Sequence, residues 1–231
     1  MGQTGKAVGG EPREAERRRT ILRAAIDVFA EKGYHGCRIA DVAQQAGVAY
    51  GLVYHYFKNK DELLRSVFEV GWSGFVARIR EAADGERPVA EKIRQVCEVA
   101  FEAYRVDPRG VRVIIFEIAR SPAGDGVNRR ASFDEVIGLC EAMFERARSL
   151  GELREGLEPK LAALMLFGAV EYGLTGFVIG MFDANDEEGL RRVKQQVAES
   201  LLGGVLRGAA PEEKTWKPAR SAAKSRADKR T

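Results

Sequence analysis

Ile39-Ala40-Asp41-Val42-Ala43-Gln44-Gln45-Ala46-Gly47-Val48-Ala49-Tyr50-Gly51-Leu52-Val53-Tyr54-His55-Tyr56 is the stretch on which the fold turns. Two helices that cross steeply need a small residue where their backbones nearly touch, and Ala43 fills that place. Gly47, four positions on, suits the turn between them, because such a turn asks one residue to take a positive φ. Val42 and Ala46 can anchor the first helix from beneath, and Val48 and Val53 the second. Small, glycine and apolar at these offsets predict a helix-turn-helix, a unit that presents its second helix to the major groove of DNA. An ordinary helical hairpin with glycine in its turn satisfies the same offsets, so the flanking residues have to decide.

On the N-terminal side, Ile21, Leu22, Ala25, Ile26, Val28 and Phe29 form the buried stripe of a first helix, expected from about Ala15 to Lys32 and ended by Gly33. On the C-terminal side, Asn59 and Glu62 stand at capping-box spacing before a long helix through Leu63, Val67, Phe68, Val70, Phe75, Val76 and Ile79 to about Ala83. Further helices fit 89–106, 108–120, 128–150, 159–182 and 187–207, broken at Pro88, Asp107-Pro108, Pro122 to Gly126, Gly151 and Glu158-Pro159. No period-2 alternation bounded by hairpin turns and no internal repeat is present, so the fold class is all-α. The expected organisation is a helix-turn-helix domain over 15–60 and a helical ligand-binding and dimerisation domain over 61–210. Tails at 1–14 and 211–231 lack apolar periodicity and are expected to be disordered.

Charge divides along the same lines. Residues 1–60 hold ten Lys/Arg against six Asp/Glu, residues 61–210 twenty against twenty-five, and 211–231 seven against three. A basic head on an acidic body implies that the head meets a polyanion. The 45% hydrophobic content suffices for a core. Cys37, Cys97 and Cys140 are odd in number and show no CxxC spacing, which fits reduced thiols in a cytoplasm. No secretory signal is apparent, and the chain is expected to be cytoplasmic. His35 and His55 lack metal-ligand spacing, and no nucleophile elbow or P-loop occurs. No metal, catalytic residue or cofactor is therefore expected, and an enzyme is disfavoured.

The sequence around the turn resembles the TetR family of bacterial repressors across residues 17–68. The motifs in register are Glu31-Lys32-Gly33-Tyr34, Ile39-Ala40-Asp41-Val42-Ala43, Ala46-Gly47-Val48, Tyr54-His55-Tyr56-Phe57 and Lys58-Asn59-Lys60-Asp61-Glu62-Leu63. The resemblance implies that Tyr54, His55, Tyr56, Lys58 and Lys60 grip phosphates, with Arg38 helping from the start of the second helix. It places Ala49, Tyr50, Gly51 and Leu52 nearest the base edges. Phe57 is expected to pack inward, and Arg17, Arg18 and Arg19 either add electrostatic contacts or form a solvated face. The chain departs from the family where Ala49-Tyr50-Gly51-Leu52 replaces the common Ser-Lys-Gly-Thr, which removes a side-chain cap and polar contacts. Tyr50 can substitute by bonding a phosphate or packing on a thymine methyl, and the operator sequence is not inferable from relatives.

Residues 161–182 are apolar enough to raise a membrane span, with Gly176 and Gly180 at membrane-dimer spacing, although Glu171 falls mid-segment and no basic anchor flanks them. In proteins of the resembled family this helix and the next pair with their copies in a homodimer. Here Leu190, Val193, Val197, Leu201 and Val205 offer a stripe on the second. The resemblance further implies an effector cavity in the body, with no membrane involved. Its candidate lining is Trp72, Phe75, Phe101, Tyr104, Arg109, Phe116, Met143, Phe144, Tyr172 and Phe177; Phe133 belongs to the same aromatic set. For any one of these, plain core packing is the competing reading. Residues 151–160 and the helix after them resemble the acyl-CoA-responsive fatty-acid repressors, so the small apolar effector expected is a long-chain acyl-CoA. Arg105, Arg109, Arg112, Arg120, Arg129 and Arg130 are candidates for its phosphates, or else solvated charges. The implied function is a dimeric repressor released from double-stranded operator DNA by that ligand. The rival is a helix-turn-helix protein without an effector, which a solidly packed body would favour.

Overall fold

Helix α1 runs from Gly10 to Gly36 and changes course at Gly33, whose φ of 71° interrupts the helical path. Three short or long helices follow at once: α2 over Ile39–Ala46, α3 over Tyr50–Tyr56 and α4 over Lys60–Ala83. The body continues with α5 over Val89–Val106, α6 over Pro108–Val113, a π-helical turn over Ile114–Ile118 and α7 over Arg129–Ser149. It ends with α8 over Pro159–Val178 and α9 over Glu187–Val205. This computed structural model describes residues 10–118 and 129–206, and among them there is no β-strand.

Local chemistry sets most of these boundaries. Asn59 Oδ1 accepts the Glu62 amide at 2.8 Å, and Glu62 reaches back to the amide of Lys58 at 2.7 Å, one residue earlier than a capping box requires. Asp107 and Asp186 cap α6 and α9 through the amides of Gly110 and Gly189. Helix α1 starts about five residues before Ala15, so residues 10–14, expected in a disordered tail, form its first turn. Residues 13–17 are all exposed, so that turn has no apolar stripe to reveal it and rests on the helix propensity of Arg, Glu and Ala. Residues 1–9 and 211–231 of the expected tails lie outside the described residues.

Helices α1 to α3 form the head and α4 to α9 the body, and one continuous apolar core runs through both. Phe29, Val42, Val53 and Phe57 are buried in the head, and Ile79, Ile93, Phe101, Phe144 and Leu166 in the body. Helix α1 packs on α2 but also on α6 and α4, so head and body share it.

The apolar segment 161–182 is a bent-back helix end. Helix α8 stops at Val178, Gly180 takes φ 78°, and the amides of Met181 and Phe182 return to the carbonyl of Gly176. A Cβ on Gly176 would sit 2.6 Å from the Phe182 ring. The glycine spacing that suggests a membrane dimer therefore makes room for a ring and a left-handed turn. The α9 stripe is partly used within the protomer. Leu201 and Val205 are buried in the protomer, and Leu190, Val193 and Val197 pack against the core shared with α5 and α8. The free apolar face belongs to α8, where Leu161, Leu164, Met165 and Tyr172 are exposed, and continues into Ile179 and Met181.

Candidate DNA-binding surface and effector cavity

The turn between α2 and α3 is closed by a six-to-one and a five-to-two hydrogen bond. The Val48 amide donates to Ala43 O at 3.0 Å and the Gly47 amide to Gln44 O at 3.1 Å. Gly47 stands at φ 64°, ψ 33°, and a Cβ there would meet nothing within 4 Å. Glycine is thus required by backbone conformation rather than by space. Ala43, Val42 and Val53 are buried at the crossing. Asp41 locks the start of α2: its carboxylate accepts the Arg38 amide at 2.7 Å and the Lys32 ammonium at 2.9 Å. Those bonds, the backbone one foremost, hold its carboxyl below the usual pKa.

Helix α3 has no side-chain cap at Ala49, as the loss of serine predicts. Arg38, Ala49, Tyr50, Gly51, Tyr54, His55 and Lys58 are exposed, while Leu52 and Tyr56 are half-buried. Tyr50 and Tyr54, one helical turn apart, hydrogen-bond through their hydroxyls at 3.1 Å with rings edge to face at 5.1 Å. That bond raises the Tyr54 pKa and makes the two phenols one polar unit on the outer surface of the helix. Phe57 is buried as expected, and Arg18 spans it, donating to Ser66 on α4 with its guanidinium 5.3 Å from the ring centre. Arg17 and Arg19 are exposed.

Lys60 points elsewhere than the phosphate-contact expectation. Its ammonium donates to the carbonyls of Tyr34 at 2.7 Å and Cys37 at 3.1 Å and lies 4.3 Å above the Tyr34 ring. The Tyr34 hydroxyl in turn bonds Asp61. Lys60 is a staple between the α1–α2 turn and the start of α4, because two backbone carbonyls and an aromatic face satisfy its charge locally.

The body is hollow. A cavity of about 500 Å³ lies among α1, α4, α5, α6, α7 and α8, within the range of about 300–1,000 Å³ typical of ligand sites. Trp72, Phe75, Phe133 and Phe167 form an aromatic wall, with Trp72 5.2 Å from Phe133 and Phe133 5.6 Å from Phe167. Small residues leave the void: Gly71 and Gly74 of α4 and Ala100 and Ala103 of α5 line it, and a Cβ on Gly74 would enter open space. Its head end is closed by Leu22 and Ile26 of α1.

Of the expected lining, Trp72, Phe75 and Phe133 face this cavity. Phe101, Met143 and Phe144 are packed into the core, since the helices around them leave no gap. Tyr104 is buried 5.6 Å from Phe177, whose ring is tilted against Phe182 at 5.0 Å, and burial raises the Tyr104 pKa. Tyr172 is 78% exposed on the outer face of α8. Arg109 is bound to Asp27 at 2.6 Å, and Phe116 lies beneath the Arg112 guanidinium. Cys140 does line the cavity, and burial pushes its thiol and that of Cys97 up to about 12, so neither is a ready nucleophile. Among the described residues no group of His, Cys, Asp and Glu could hold a metal ion.

A family model described as bacterial regulatory proteins, tetR family, matches residues 21–67. The chain is 30% identical over 190 residues to the fatty acid metabolism regulator protein of Bacillus subtilis, covering 80% of this chain and 93% of that protein. It is 30% identical over 159 residues to the HTH-type transcriptional activator FasR of Mycolicibacterium smegmatis, covering 69% of each. Among solved structures it is similar to the transcriptional regulator FadR from Bacillus subtilis in complex with stearoyl-CoA. The TM-score is 0.71 at 28% identity, over 80% of this chain and 98% of that one.

Two outcomes test the geometry of the turn. Gly47→Ala should cost about 1 kcal/mol, or roughly 2–4 °C in Tm, through the left-handed backbone alone, and Gly47→Asn less; thermal unfolding measures both. Asp41→Asn should melt below the wild type at neutral pH. The folded carboxyl titrates below its ordinary range, so its stabilisation is present above the unfolded pKa and fades as pH falls through the folded one. The gap between the two melting curves should therefore close only under acid conditions.

Proposed function

Because the chain belongs to the tetR family of bacterial regulatory proteins, we propose that it is a cytoplasmic, homodimeric repressor that leaves its operator when a long-chain acyl-CoA enters the cavity beneath α1. The observation that carries this reading is the apolar void whose head end is formed by Leu22 and Ile26, residues of the helix that supports the helix-turn-helix. A body packed solid would have favoured a DNA-binding protein without an effector. The stearoyl-CoA bound by the similar Bacillus regulator supports the ligand class.

DNA contact falls to the exposed face of α3 and its flanks. Lys58, Tyr54, His55, Tyr56 and Arg38 take phosphates, and Ala49, the Tyr50 ring, Gly51 and Leu52 meet base edges in the major groove. Two half-sites are needed for useful affinity, because one short helix reads few base pairs. The second copy docks on the exposed apolar face of α8 and the groove beside it. That groove, about 730 Å³, is lined by Met165, Phe182, Val193 and Val197 among others. Apolar contact of this extent on a monomer surface marks an interaction site.

Coupling runs through α6. Arg112 donates from Nη1 to the carbonyl of Val178, the last residue of α8, at 2.8 Å, and from Nε to Ala30 O on α1 at 3.1 Å. Arg109 holds Asp27 of α1. Val111, between Arg109 and Arg112 on α6, and Ile114, the first residue of the π-helical turn, line the cavity. A ligand that fits better with this segment displaced shifts the spacing of the two recognition helices by its differential affinity for the two arrangements.

Gel-shift titration with operator fragments tests the reading. Stearoyl-CoA should weaken the complex of the wild-type protein and leave Gly74→Trp, whose indole fills the void, bound to DNA. Unchanged binding of the wild type at saturating acyl-CoA would remove this effector class. Lys58→Ala should lower the salt slope of DNA binding by about one. Lys60→Ala should lower the melting temperature while leaving that slope as it is, because its charge is spent on carbonyls.

A further inference from the structure

The cavity is apolar along its walls but carries charge in its lining. Arg23 on α1 and Arg78 on α4 both contribute to it, and both residues are exposed. The arginines expected to serve a ligand's phosphates are occupied elsewhere. Arg105 chelates Glu102 at 2.6 and 2.7 Å, Arg109 is paired with Asp27, and Arg112 is held by two carbonyls. The side chains of Arg120, Arg129 and Arg130 lie outside the described residues. Among the described residues, neither Arg23 nor Arg78 has a carboxylate within ion-pair distance. Arg78 is within electrostatic reach of Glu102, but that carboxylate is already chelated by Arg105.

Two carboxylates also line the cavity. Asp107 is committed to capping α6 through the amide of Gly110, and Glu171 has an interaction of its own. Among the described residues that line the cavity, the two guanidinium groups are therefore the cations left to meet a ligand. A guanidinium presents a planar fork of donors that matches phosphate or carboxylate oxygens, and an apolar void next to it suits the chain of an amphiphile.

We propose that Arg23 and Arg78 form an anion-binding rim to this cavity, taking the charged end, phosphate or carboxylate, of a long-chain amphiphile. The inference rests on the effector reading above and adds the residues that select the head group. It also adds a route of coupling. Arg23 lies beside Leu22 on α1, so a head group bound there pulls directly on the helix that supports the DNA-reading unit. An amphiphile with the same chain and no charge should fill the void and bind more weakly.

Calorimetric titration of the full chain with dodecanoyl-CoA, dodecanoate and 1-dodecanol tests this. Arg23→Ala and Arg78→Ala should each lose about tenfold or more in affinity for an anionic probe while 1-dodecanol binding changes by less than about twofold. Retained 1-dodecanol binding shows that each variant is folded with its cavity intact. Loss confined to dodecanoyl-CoA identifies the phosphates as the anion, loss confined to dodecanoate identifies the carboxylate, and loss of both shows that the rim accepts either. Anionic probes that bind both variants as they bind the wild type overturn the rim and leave the effector reading standing. Failure of all three probes to bind the wild type overturns the effector reading and the rim with it.

Discussion

Helix α1 has to satisfy two sets of neighbours at once. Ile21, Ala25, Val28 and Phe29 are buried in the common core, while Leu22 and Ile26 close the head end of the body's cavity. An apolar stripe wider than one helical face makes this double packing possible. The consequence is that the cavity cannot be filled or reshaped without touching the helix on which α2 and α3 are mounted. Packed interiors move between discrete arrangements rather than deforming smoothly, so a small change under α1 can become a change of head orientation.

The joints between head and body are built from charged donors on backbone carbonyls. Lys60 on the carbonyls of Tyr34 and Cys37, and Arg112 on those of Ala30 and Val178, connect segments far apart in the chain. Charged donors on neutral acceptors give stronger bonds than neutral pairs. The surface ion pairs are of a different order. Arg80 with Glu135 and Arg191 with Glu188 are largely exposed, and such pairs contribute about 0–1 kcal/mol. The firmer links between head and body are therefore a few contacts around α1, the start of α4 and α6.

Helix α8 shows why apolarity alone does not assign an environment. It is long and apolar enough to cross a bilayer, with a mean hydropathy of 1.7 over its most apolar window. Its inner face supplies Ala162, Leu166, Val170 and Leu174 to the core, while Leu161, Leu164, Met165 and Tyr172 face outward. A helix apolar on two sides needs two apolar neighbours. One is the body of the protomer, and a second copy of the chain supplies the other in the proposed dimer.

What consecutive residues decide by themselves could be read in the sequence. The 3.6-residue periodicity, the left-handed demand met by Gly47, the small crossing residue Ala43, the cap at Asn59 and the break at Asp107-Pro108 depend on neighbours a few positions away. They located nearly every helix and the turn that makes the DNA-reading unit. Which side chains face empty space depended on residues brought together from distant segments. Trp72 and Phe75 line the cavity because Ala100 and Ala103 stand across from them on α5 and glycines open α4, whereas Phe101 and Phe144 meet no such gap. Lys60 turned inward because folding set two carbonyls within its reach, and Tyr172 turned outward because α8 presents its other face to the core. Periodicity records that a residue lies on an apolar face; only the assembled neighbours determine whether that face meets another side chain, a void or solvent.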